Sequence, residues 1–181
     1  STTFEQMRES LKSRIDELDM LLRVSRGMSQ SFDLSSTSQH LLTALLSYGG
    51  DAASLVLIRN TNQEWDDEFT AYRLGKEAEN LGYLDKGVLE LLKGETLLII
   101  PSRTRIKRLG VPSGAPLPNA LAAVPIVSSA GISGFFWVAY MQPHRFLDAE
   151  VKFLNTLTGQ AGLAVSNANL FASAEVGKRR L

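Results

Sequence analysis

Arg103, Arg105, Lys107 and Arg108 place four basic side chains within six positions. Guanidinium forks match the oxygens of a carboxylate or phosphate, so such a cluster can form an anion-recognising rim. The plainer reading, and the commoner one for a short charged run, is a solvated helix face. Trp65, Tyr72, Trp137 and Tyr140 lie on strand-like runs or at their ends. Aromatic rings there would suit a planar ligand, although core packing is their commoner role. Tyr72, Arg103, Arg105, Trp137 and Tyr140 are therefore the candidate ligand-binding residues, for a small molecule the sequence does not identify.

Composition removes other chemistries. The chain has no cysteine, so it offers no disulfide, thiolate nucleophile, cysteine metal site or thioether-linked cofactor. That composition fits a reducing, cytoplasmic setting. Of the two histidines, His40 sits in a helical pattern and reads as a surface helix residue. His144 beside Arg145 reads as part of a solvated loop, on the opposite flank of the sheet from His40. A shared metal or a haem is accordingly not expected. No serine or carboxylate arrangement forms a catalytic set. Nineteen basic and nineteen acidic residues cancel, so no global field favours nucleic acid or an anionic membrane. No apolar run approaches the ~20 residues that span a bilayer.

The positioning elements follow from periodicity. Phe4, Met7, Leu11, Leu18, Leu21, Met28 and Phe32 recur at heptad spacing, interrupted by Arg14 and Ser25 and widened by Ile15 and Leu22. A helix of about 28 residues is ~42 Å long, more than a domain of this size covers by itself. Its first half is expected to pair with a second copy as a parallel coiled coil; the alternative is one amphipathic helix on its own sheet. Asp33 and the cluster Ser35–Ser38 can cap a second helix, Thr37 to Tyr48, which Gly49-Gly50 ends. Strands are expected at Ala53–Arg59 and Glu68–Leu74, joined as a hairpin, and at Leu97–Ile100. Two more follow, Ala120–Val127 and Ile132–Met141, turning at Ser128–Gly131. Pro125 cannot donate to a ladder, so it belongs at a bulge, a strand end or an unpaired edge. Short helices at Lys86–Lys93 and Ser102–Gly110, and the Pro/Gly-rich run Val111–Pro118, form an irregular cover over the sheet. From Asp148 runs a long helix with Val151, Leu154, Leu157, Ala161, Val165, Ala168 and Phe171 on its apolar face. Asp148 is its expected N-cap, and the helicity lost at Gly159 and Gly162 is expected to be offset by close packing.

The order and spacing of these elements resemble a GAF domain. The resemblance is carried by Leu41–Gly49 leading into Ala52-Ala53-Ser54-Leu55-Val56-Leu57, by Lys86-Gly87-Val88, and by Gly94-Glu95-Thr96-Leu97-Leu98-Ile99. It continues through Leu121-Ala122-Ala123-Val124-Pro125-Ile126, Gly134-Phe135-Phe136-Trp137-Val138, and Phe146 to Phe171. It implies an α+β fold: a central antiparallel sheet of about five strands, both long helices on one face, a short-helix and loop lid on the other. It implies residues 1–20 as a coiled-coil extension, 21–172 as the domain, and 173–181 as the start of a linker to an output domain. The abrupt opening and close of the chain give the same impression of an excised segment. A non-catalytic sensory and dimerising module is implied, of a sensor histidine kinase first, with a diguanylate cyclase or a transcription regulator as the alternative. Alternatively it spaces and dimerises its neighbours around a vestigial pocket. Free methionine-sulfoxide reductases and bilin photoreceptors of the family need the thiol this chain lacks. The Asn-Lys-Phe-Asp-Glu signature of cyclic-nucleotide-binding members is also absent.

Overall fold

Alternation along one strand decides the architecture. From Gly131 to Tyr140, Phe135, Trp137 and Ala139 face one way while Phe136, Val138 and Tyr140 face the other, and all six are buried. A strand covered on both faces needs a layer on each side. The computed structural model supplies both. It describes residues 2–30, 34–58, 69–128 and 131–180, with side chains over 3–21, 37–58, 69–127, 131–163 and 165. Asp33 as a cap, the loop 60–63, Trp65 and the turn at 129–130 lie outside the described residues, as do the side chains of Leu22, Met28, Phe32, Ala168 and Phe171.

Helices α1 (Thr2–Gln30) and α2 (Leu34–Leu45) come first, followed by a 3₁₀ turn at Leu46–Tyr48. Gly49 closes that turn at φ 93°, a left-handed conformation that glycine adopts without a Cβ penalty. Strands β1 (Ala52–Ile58) and β2 (Phe69–Gly75) form the first hairpin. A 3₁₀ turn (Glu79–Leu81), α3 (Leu84–Leu92), β3 (Leu98–Ile100) and α4 (Arg103–Lys107) lead to β4 (Ala120–Ser128) and β5 (Gly131–Tyr140), and α5 (Asp148–Arg180) ends the chain. The sheet is antiparallel throughout, in the order β2-β1-β5-β4-β3. Ala52 opposite Ala139 and Leu57 opposite Gly134 set the long-range register at its centre.

Both long helices lie on one face. Leu154, Leu157, Ala161 and Val165 of α5 join Leu41, Leu42 and Leu45 of α2 against Leu55, Val124, Phe136 and Val138, with Met20 and Leu21 of α1 packed on the outside. The opposite face is covered by Leu84, Val88, Leu89 and Leu92 of α3, Leu81 before it, and Ile106 of α4. Pro125 pairs with Phe135 one residue before a register shift at Ile126/Val127, beyond the last β4 residue paired with β3. There its missing N–H breaks no ladder, as the sequence requires.

Three expectations are corrected. Helix α4 is shorter than read, five residues, because only Ile106 is fully buried there and Gly110 at φ 80° ends the segment. Asp148 is the first residue of α5 instead of its cap. Gly159 and Gly162 do not sit under a close neighbour: a Cβ at either would meet nothing within 4 Å in this chain. Fully buried Leu157 should cost about 2–5 kcal/mol on replacement by alanine, through lost transfer energy and a cavity. Leu163, 61% exposed, should change stability by less than ~0.5 kcal/mol. Urea unfolding of L157A and L163A measures the contrast.

Candidate functional site

Apolar periodicity is broken on each face of the sheet by one carboxylate, and each occupies the first turn of a helix. In α3 the buried stripe is Leu84, Val88, Leu89 and Leu92, and Asp85 falls at the position that continues it. In α5 it is Phe153, Leu154 and Leu157, and Glu150 lies one turn before them, 2% exposed. A buried carboxylate is costly unless it finds donors, and both find them on β5.

On the lid face, Ser54 lies opposite Arg73 on β2 and opposite Trp137 on β5, so the three stand in one row across the sheet. Trp137 Nε1 donates to Asp85 Oδ1 at 2.7 Å, and Arg73 Nη2 donates to Asp85 Oδ2 at 2.5 Å. Arg73 Nη1 also reaches Glu79 Oε2 at 3.3 Å, but Glu79 is solvent-exposed and adds little. Burial pushes the Asp85 carboxyl above the usual carboxylate range, while the Trp137 N–H and Arg73 pull it back. The α3 dipole favours a negative charge at this end of the helix. Gly82 lets the guanidinium pass: a Cβ there would meet Arg73 Nη2 at 3.1 Å. Tyr83 donates to the Pro116 carbonyl at 2.7 Å, pinning the Pro/Gly-rich segment to the start of α3. Ser54 Oγ and Arg73 Nε are buried with no hydrogen-bond partner. Two orphaned polar atoms on directly opposed residues are an unusual expense in so apolar a layer.

On the helix face, Glu150 accepts from Tyr140 Oη through Oε1 and lies 2.6 Å from His144 Nε2 through Oε2. His144 stacks on Tyr140 with ring centroids 3.7 Å apart, and Phe146 meets both rings edge-on. His144 therefore does not sit in a solvated loop. It also shares the helix-covered side with α2, which carries exposed His40, so the two do not flank the sheet. Tyr48, against Phe153, donates to Glu17 of α1 at 3.3 Å, which joins α1 to this layer.

Of the sequence candidates on described strands, Trp137 alone lies on the lid face. Tyr140 and Tyr72 belong to the helix-side core, because alternation puts Tyr140 on the opposite side from Trp137. Arg103 and Arg105 are exposed on α4, and neither is hydrogen-bonded or ion-paired to Trp137, Arg73 or Asp85. The five are not brought together. Sequence reasoning missed Ser54, Arg73, Asp85 and Glu150. Their common signal was a polar residue at a position where the apolar pattern called for a hydrophobic one. Among the described residues, no group of three or more histidine, aspartate or glutamate side chains is placed to hold a metal ion. Nor is any helix of them long and apolar enough to cross a membrane.

A five-stranded antiparallel sheet, sheathed by its terminal helices and roofed by short ones, defines a small α+β domain. The GAF domain family profile matches residues 32–166, and the chain belongs to that family. It is similar to the GAF domain of an Acinetobacter phosphoenolpyruvate-protein phosphotransferase, 22% identical over 84% of this chain and 94% of that one, at TM-score 0.69. It is also similar to the GAF domain of a protein described as a sensor histidine kinase from Pseudomonas syringae pv. tomato. There the identity is 14%, the coverage 97% and 99%, and the TM-score 0.61. A GAF domain/HD domain protein from Geobacter sulfurreducens matches 79% of this chain and 98% of its own at 15% identity and TM-score 0.56. Among curated proteins none matches. GAF domains are regulatory modules of signalling proteins, and this chain is one of them.

The tyrosines make the burial measurable. Burial, aided by Glu17, pushes the Tyr48 hydroxyl from 10.0 up to about 12; burial and the bond to Glu150 push Tyr140 upward as well. The folded chain then holds protons that the unfolded chain has released. Stability present below pH 10 is therefore lost as pH rises through about 12. Denaturant unfolding between those values should show the fall, and Tyr48→Phe should flatten it.

Proposed function

We propose that the chain is a non-catalytic sensory domain in which Asp85 stands in, within the molecule, for an anionic ligand. The observation that carries this is the pair of orphaned atoms beside the Trp137–Asp85–Arg73 cluster. Asp85 satisfies part of the donor set on the lid face and leaves Arg73 Nε and Ser54 Oγ without a partner. A small carboxylate or phosphate ligand with more acceptor atoms could satisfy all of it. It would displace Asp85 and lift the start of α3. Only the difference in affinity between shut and open lids could then bias the two arrangements.

The same contacts favour a second reading, a module whose pocket is filled by its own side chains and which serves to dimerise. Thermal shift with a panel of small carboxylates, phosphates and nucleotides separates them. Sensing predicts stabilisation by some member of the panel, stronger in Asp85→Ala because the competing internal carboxylate is gone. No stabilisation in either form sinks sensing and leaves dimerisation.

Both readings take the partner to be a second copy. Phe4, Met7, Leu11, Ile15 and Leu18 are 57–69% exposed on one stripe of α1, and heptad spacing suits a two-stranded coiled coil. As the parent protein we favour a sensor histidine kinase, since the kinase-derived neighbour aligns over almost the whole chain, including α1. Sedimentation should give a dimer, and Leu11→Lys with Leu18→Lys should give a monomer that unfolds with an unchanged domain core. A native monomer at high micromolar concentration contradicts the pairing.

A further inference from the structure

At the end of the sheet where β3 stops, β4 starts and the β5–α5 loop begins, a cavity of about 450 Å³ is lined by Pro101, Arg103, Asn119, Pro143, His144 and Arg145. We infer that this cavity is a second binding site, for a small multiply charged oxyanion such as a phosphate or polycarboxylate. It lies apart from the Trp137–Asp85 row and does not depend on the lid opening.

Charge is the first argument. Two arginines and a histidine converge from two separate segments, and neither arginine has an acidic partner among the described residues. Glu150, which binds His144, does not line the cavity; it is 2% exposed and committed to Tyr140 and His144, so it does not neutralise the rim. Unpaired guanidinium groups facing one concavity are the donor set for an oxyanion.

Preorganisation is the second. Pro101 and Pro143 fix φ on both walls. Asn119 ties the floor to β5, its backbone N–H donating to the Tyr140 carbonyl at 2.8 Å and its side-chain amide donating to the Met141 carbonyl. His144 is held by the stack on Tyr140 and by Glu150. The volume lies within the ~300–1,000 Å³ usual for small-molecule sites.

Coupling is the third. An anion there would clamp the start of α4 to the β5–α5 loop, with His144 between the anion and Glu150 in the first turn of α5. Occupancy would thus tighten the junction through which α5 leaves the sheet.

The chain has two histidines, which makes the test direct. At fixed pH and ionic strength, the imidazole proton NMR signals of the 181-residue chain are followed while inorganic phosphate, and separately citrate, is added. Assignment comes from His40→Gln. The site predicts a saturable shift of the His144 signal while exposed His40 stays still. In the double variant R103A/R145A affinity should fall at least about tenfold, since two charge-assisted contacts are lost. Both variant positions are exposed, so folding is preserved, which the spectrum itself verifies. Response to phosphate alone assigns a phosphorylated ligand, and response to citrate alone a polycarboxylate. No His144 response to either anion, parallel movement of both histidines, or an unchanged response in R103A/R145A overturns the inference.

Discussion

One strand carries the domain. β5 is buried on both faces over Phe135–Tyr140, so a charge that reaches it needs donors from within the protein. Trp137 and Tyr140 are three residues apart and hence on opposite sides of the sheet. Each is the anchor of a carboxylate from the first turn of a helix, Asp85 of α3 on the lid side and Glu150 of α5 on the helix side. The lid and the exit helix are fastened to the same short stretch of backbone by the same device. A shift of β5 that loosens one fastening acts on the other, because the strand cannot rearrange one face of its side chains while holding the opposite face fixed.

Much of this was legible from residue types. Period-two alternation along Phe135–Tyr140 separates the two faces correctly, and the apolar stripes of α2 and α5 mark what covers one of them. Pro125 reads correctly as a residue for a bulge or an unpaired edge. Alternation already sets Tyr140 opposite Trp137, so those two could not share one site; the side taken by Tyr72, on another strand, was not legible, since alternation fixes relative and not absolute orientation. His144 misled for a related reason. Its neighbours in sequence are Pro143 and Arg145, which suggest solvent, whereas its neighbours in space are Tyr140 and Glu150. Asp85 and Glu150 could have been found, since each puts a charge on an apolar stripe, and such a charge implies donors brought from elsewhere in the fold.

The glycines of α5 show how far a single chain explains itself. Gly159 and Gly162 weaken helicity by up to ~1 kcal/mol each yet lie under no neighbour within 4 Å. Nothing in the structure explains them. The exposed stripe on α1 is different, because its period points to one kind of partner. In the proposed sensing scheme the end helices would transmit only what differs between two lid arrangements, and the Trp137–Asp85–Arg73 contacts would set how large that difference is.

Those contacts are tested most directly by a double-mutant cycle on Trp137→Phe and Asp85→Leu, which removes the donor and the acceptor in turn, read by denaturant unfolding. A fastening between the two side chains predicts a coupling energy of about 1–3 kcal/mol. Single effects that add to within ~0.5 kcal/mol would mean that the two side chains are not energetically coupled, and would contradict the fastening of α3 to β5 through Trp137 and Asp85.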